Sequence, residues 1–126
     1  MEKEFVTYEQ ALALKELGFD EECLKYYTEE YGTFVVSDDY DGGHFVLAPL
    51  KQQVFRWFRE KHGIDYYITS RLPHVTGGGY NTVIDDIWWP HLVRDTYEEA
   101  ENALIDKLIE LAKQQEKWKI KFGMQY

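Results

Sequence analysis

Arg71 and His74 stand in the stretch "RLPHVTGGGY" at 71–80, which ends on Tyr80; Trp88, Trp89 and Arg94 stand in "WWPHLVR" at 88–94. Aromatic faces stack on flat rings such as bases, and an arginine fork matches the oxygens of a phosphate. The glycines at 77–79 let an anion approach bare backbone, in the manner of a mobile flap. A true phosphate loop is not written here, because no Gly-Lys-Ser/Thr comes after the glycines and the next element is a strand rather than a helix. Arg71, His74, Tyr80, Trp88, Trp89 and Arg94 are therefore the candidate ligand-binding residues, and a nucleotide-like molecule is the chemistry they suit. Core aromatics with scattered surface cations is the competing reading.

Other constellations fail on spacing. "SDDYDGGH" at 37–44 has Ser37, Asp39 and Asp41 at the ligand positions of a calcium loop and Gly42 at its turn, but the twelfth position, which needs a bidentate carboxylate, is Ala48. His44, His62, His74 and His91 have no zinc spacing, and the one cysteine, Cys23, offers no thiolate cluster. Asp85-Asp86 falls in an expected strand, where neighbours point to opposite faces and cannot act as a close acid pair. No serine sits in a nucleophile elbow. The expectation is no catalytic residue, no metal and no cofactor.

Composition narrows the class. At 126 residues, 44% hydrophobic and 17% aromatic, the chain suits a single domain over 1–126. No apolar run reaches a membrane span, the start shows no signal-peptide pattern, and a lone cysteine suits a cytoplasmic setting. The net charge of −9 is carried entirely by residues 1–41, where twelve carboxylates face three lysines. The rest is neutral, with a lysine-rich tail from Lys113 to Lys121. Such a balance disfavours general nucleic-acid binding, which needs a basic surface. Solubility alone would account for it, and so would a basic partner.

The elements that must position these residues can be read from caps and periodicity. "TYEQA" at 7–11 and "TYEEA" at 96–100 echo each other, yet the residues after the two motifs do not align, so the echo marks two capping boxes rather than a duplication. The first helix spans Tyr8 to Leu17 and stops at Gly18. Cys23–Tyr27 reads as a strand with Thr33–Val36 as its hairpin partner; a helix through Glu21–Tyr31 is the alternative. Ala48-Pro49 opens a second helix with Pro49 at its first position, running from Leu50 to His62 and ended by Gly63. Ile64–Ser70 and Tyr80–Ile87 form a second hairpin. The longest helix runs from Thr96 to about Gln114, with Ile105 and Ile109 off its main apolar stripe. Those two are either the shoulder of a buried helix or a contact for another chain. The tail alternates Trp118, Ile120 and Phe122 with lysines, which reads as a two-faced strand. The expected fold is α+β: an antiparallel sheet of two hairpins plus a C-terminal tail strand, packed against three helices. Ile105, Ile109, Trp118, Ile120 and Phe122 are the candidate oligomer interface, and a homo-oligomer is expected.

"FVTYEQALALKELGFDE", "LAPLKQQVFRWFREKHGI" and "DTYEEAENALIDKLIELAK" resemble small uncharacterised phage and mobile-element proteins of Bacteroidetes. The resemblance covers the helical segments only, and it carries no catalytic residues. It implies a phage-type origin and a cytoplasmic location in a bacterial host cell. The expectation is then a non-catalytic accessory, anti-defence protein acting by binding, in its specific form a sponge that sequesters a nucleotide-derived immune signal. Alternatives are an acidic inhibitor that mimics nucleic acid toward a host defence protein, and a small nucleotide hydrolase.

Overall fold

Thr7 starts the first helix as its capping box requires. In the computed structural model its Oγ1 accepts from the Gln10 N–H at 3.2 Å, while Gln10 Oε1 accepts from the Thr7 N–H at 2.9 Å. The structure describes residues 2–28, 32, 34–36, 45–71 and 77–122, with 2, 35, 36 and 118–122 described by backbone alone. Helix α1 spans Tyr8–Glu16. Gly18, at φ 92°, turns the chain away, and the Phe19 N–H donates back to the Leu14 carbonyl at 3.0 Å.

Strands β1 (Lys25–Thr28), β2 (Phe34–Val36) and β3 (Phe45–Ala48) form an antiparallel sheet in the order β2-β1-β3. Tyr26 pairs with Val35 on one side and Leu47 on the other. The hairpin reading of this segment therefore holds over the helical one, and residues 29–31 lie outside the described part. Strand β3 was not expected: Phe45-Val-Leu-Ala48 is four apolar residues without alternation, which a sequence pattern does not separate from a helix lead-in.

Helix α2 spans Lys51–His62, with Leu50 as an N-cap that makes no side-chain cap bond. Pro49 is thus not its first residue, as the sequence suggested. It lies in the connection from β3, where its carbonyl accepts from the Val6 N–H at 3.1 Å and Leu50 bridges to Phe5. The expected stop at Gly63 is present, left-handed at φ 63°.

The second sheet is also three-stranded, β4 (Tyr66–Ser70), β5 (Tyr80–Ile84) and β6 (Ile87–Trp88), in the order β4-β5-β6. The strand expected to run through Ile87 instead reverses at Asp85-Asp86, both at positive φ (50° and 66°), joining paired Ile84 and Ile87. This two-residue turn matches the twist of the strands it joins, and aspartate is among the side chains that tolerate it. Asp85 also holds the start of β4: its Oδ1 accepts from the Asp65 N–H and its own N–H donates to the Asp65 carbonyl, both at 2.9 Å.

After a short 3-10 helix at Pro90–Leu92, Thr96 caps α3, which runs from Tyr97 to Phe122. The Glu99 N–H donates to Thr96 Oγ1 at 3.1 Å. The expected tail strand is therefore corrected: residues 113–122 continue the helix, because Lys, Gln and Glu favour it and no breaker intervenes before Gly123. The side chains of Trp118, Ile120 and Phe122 lie outside the described part.

One buried apolar cluster draws on all three helices and both sheets, including Leu14, Val46, Phe55, Phe58, Ile84, Leu104 and Leu108. Ile105 and Ile109, at 0% and 7% exposure, belong to it. They are the shoulder of a deeply buried helix, and their assignment to an oligomer interface is withdrawn. The α+β class stands, built on two small sheets in place of one. Among the described residues, no helix is long and apolar enough to cross a membrane.

Asp86→Gly removes the left-handed penalty of a side chain at φ 66°. It should raise the unfolding free energy by about 1 kcal/mol in urea melts; an unchanged or lowered midpoint contradicts the turn.

Candidate functional site

Backbone pairing at the open end of the second sheet draws three of the candidate residues together. The Arg71 N–H donates to the Gly79 carbonyl at 2.8 Å; the Tyr80 N–H donates to the Arg94 carbonyl at 2.8 Å, and the Arg94 N–H returns to the Tyr80 carbonyl at 3.3 Å. Gly79 has to be glycine for this: at φ 91°, an added Cβ would meet the Arg94 carbonyl oxygen at 2.7 Å. The Arg94 Nη1 donates to the carbonyls of His91 and Val93, both at 2.9 Å, which fixes the guanidinium over the 3-10 turn. Tyr97, half-exposed, meets the Tyr80 ring edge-on at 5.6 Å. Arg71, Tyr80, Arg94 and Tyr97 thus share one corner. Tyr97 was missed in the sequence because its place in the first turn of α3 reads as core stripe.

The other candidates are dispersed. Trp88 pairs with Val83, which pairs with Tyr67, so Tyr67, Val83 and Trp88 make a row on one face of the sheet. Trp88 is 55% exposed in that row. Trp89, the next residue, falls on the opposite face and packs on the core, with the Lys107 ammonium 4.6 Å above its ring. Among the described residues, its buried indole Nε1 meets no hydrogen-bond partner, and neither does Thr82 Oγ1 on the paired strand. The tryptophan pair therefore does not act as one surface. His74 and the loop 37–44 lie outside the described residues.

A second polar assembly, not legible in the sequence, fills the seam between α2 and α3. Lys51 is 4% exposed and Glu101 is 8% exposed, and the two are charged neighbours. Gln52 Nε2 donates to Glu101 Oε2 at 3.4 Å. Burial pushes the Glu101 carboxyl above its ordinary value, Lys51 offsets part of that, and Glu98 adds to it. Near the end of α2, Arg59 Nη1 donates to the Tyr66 hydroxyl on β4 at 2.8 Å. Burial likewise raises the Tyr66 and Tyr97 phenols, with Glu101 the second cause at Tyr97. Beside this seam lies a cavity of about 340 Å³, walled by the N-terminal segment, α1 and α3. Lys3, Tyr8, Tyr27, Lys51, Glu98 and Asn102 contribute to its lining.

The surroundings of Cys23 disfavour its thiolate. Burial and then Glu21 push its thiol up to about 12, and its Sγ donates to the Glu21 carbonyl at 3.3 Å. Among the described residues, no group of three or more His, Cys, Asp or Glu is placed to hold a metal ion. Comparison with family models, with curated proteins and with solved structures finds no match.

Because the Glu101 carboxyl is raised in the folded chain, the folded state binds more protons than the unfolded state just above the ordinary glutamate range. Stability contributed by this group falls as pH rises through that window. Urea melts at stepped pH should show the parent losing stability relative to Glu101→Gln as pH rises from the ordinary glutamate value to the raised one. A difference independent of pH contradicts the raised carboxyl.

Proposed function

We propose that the chain is a non-catalytic, phage-type accessory protein that acts by binding, with a nucleotide-like anion received at the Arg71–Tyr80–Arg94–Tyr97 corner. The observation that carries this is the backbone clasp between Tyr80 and Arg94, which closes beside the Arg71–Gly79 hydrogen bond. The backbone at residues 71, 79–80 and 94 is thereby drawn together, and the phenol rings of Tyr80 and Tyr97 meet there beside the Arg94 guanidinium. A guanidinium carries five N–H donors, and in Arg94 the two carbonyls engage Nη1 alone. The remaining donors form the edge that a phosphate oxygen pair matches. Half-exposed Tyr97 supplies a ring on which a base stacks. The anti-defence role, as a sponge for a nucleotide-derived immune signal in a bacterial host, rests on the resemblance of the helical segments to phage proteins.

The reading as an acidic nucleic-acid mimic is less favoured. Glu21, central to that surface, is engaged by Gln53 Nε2 at 3.3 Å and by Arg56 at 3.7 Å, and Glu16 faces Lys113 at 3.7 Å. The expected homo-oligomer also loses two of its motives, since Ile105 and Ile109 are core residues.

Calorimetry with a panel of cyclic and ADP-ribose-type nucleotides should give heat at micromolar protein with at least one member. Arg71→Ala should weaken that binding by about ten-fold or more, as loss of a charge-assisted contact does. Gly79→Ala should weaken it as well, by forcing Tyr80 and Arg94 apart. Absence of heat across the panel, or binding indifferent to Arg71→Ala, contradicts the proposal.

A further inference from the structure

We propose that the cavity between the N-terminal segment, α1 and the first turns of α3 binds a small zwitterion of the free amino-acid type, its acid group held by Lys51 and its amino group by Asn102 and Glu98. The volume, about 340 Å³, lies at the lower end of small-molecule pockets. Its chemistry decides the class of ligand. Lys51 lines the cavity while only 4% exposed, and a buried ammonium requires compensating negative charge. Its charged neighbour Glu101 is shared with Gln52. An acid group in the cavity completes the environment of that ammonium. Asn102, on the same wall, has a buried Oδ1 without a hydrogen-bond partner among the described residues, and a turn of the amide toward the cavity lets it accept from an N–H donor. Glu98 stands 3.6 Å from Lys3, with both side chains largely exposed. A pair of that kind is weak and exchanges readily, so Glu98 is free to turn to an incoming ammonium.

These three groups reject simpler ligands. A plain anion would meet Lys51 and Lys3 favourably but would face the Glu98 carboxylate. A plain cation would meet Asn102 and Glu98 favourably and be opposed by Lys51. A phosphate with two charges would lie near both Glu98 and Glu101. A molecule carrying an acid and an amine together satisfies Lys51, Asn102 and Glu98 at once, and Tyr8 and Tyr27 on the same lining supply its apolar contact. This site shares no residue with the Arg71–Tyr80–Arg94–Tyr97 corner and stands or falls without it.

The test is an amide-resolved NMR titration of the full chain with each proteinogenic L-amino acid at millimolar concentration. At least one should give saturable shifts at Tyr8, Lys51 and Asn102. Its deaminated and its amidated analogues should each bind about ten-fold or more weakly, as sites lose analogues that leave buried polar groups unpaired. Glu98→Gln, at an exposed side chain that leaves the fold intact, should weaken binding; Lys51→Met should abolish it while its own spectrum reports a folded chain. No saturable shift with any amino acid, equal binding by either analogue, or parent-like binding by Glu98→Gln overturns the proposal. Should Lys51→Met fail to fold, Glu98→Gln and the two analogues decide it.

Discussion

The carboxamide of Gln10 ties the N-terminal third of the chain to the long helix. Its oxygen completes the cap on α1, and its Nε2 donates to Asp106 Oδ1 at 3.0 Å and to the Asn102 carbonyl at 3.4 Å on α3. The residue is 4% exposed, so both ends of the amide have to be satisfied within the protein. Rotating it to serve one partner abandons the others. That constraint sets how far α1 stands from α3, and it sets the distance between the two walls of the cavity that Thr7, Tyr8 and Asn102 line. A cap is thus used twice, once for local helix formation and once for tertiary packing.

Charge is arranged around the same junction. Helix α2 begins at Leu50 without a side-chain cap and without an acidic residue in its first turn. The compensating carboxylate comes from another helix, as Glu101 lies against Lys51 and Gln52. Negative charge near a helix start is favourable, which offsets part of the cost of burying Glu101. The α2–α3 seam is accordingly polar at the α2 start and apolar where Val54, Phe58, Leu104 and Leu108 fill the core. The two proposed binding regions lie on either side of the first turns of α3: Tyr97 points one set of contacts toward Tyr80, and Glu98 and Asn102 line the cavity on the other side.

The helices were legible because their signals are local. Thr7 with Gln10, Thr96 with Glu99, and the stops at Gly18 and Gly63 each act within a few residues. The β segments were less so. Asp85-Asp86 reads as strand until the pairing of Ile84 with Ile87 forces a turn, and Phe45–Ala48 is too short to show a period. The tail misled for the opposite reason: alternation at 118–122 is a pattern without a partner strand, and helix propagation from residue 97 overrides it. At the candidate corner, Arg71, Tyr80 and Arg94 were identifiable by type, but Tyr97 joins them only through the Tyr80–Arg94 bridge. Lys51, Glu98 and Asn102 were invisible as a group, because their convergence depends on how α1, α2 and α3 pack.

A double-mutant cycle between Gln10→Ala and Asp106→Ala, read by urea denaturation, tests the clamp most directly. The cycle cancels the capping loss common to both Gln10 variants. A coupling of about 0.5–3 kcal/mol is the predicted result for groups that bond across two helices. Additive effects, with no coupling beyond about 0.5 kcal/mol, would contradict the claim that this amide holds α1 against α3.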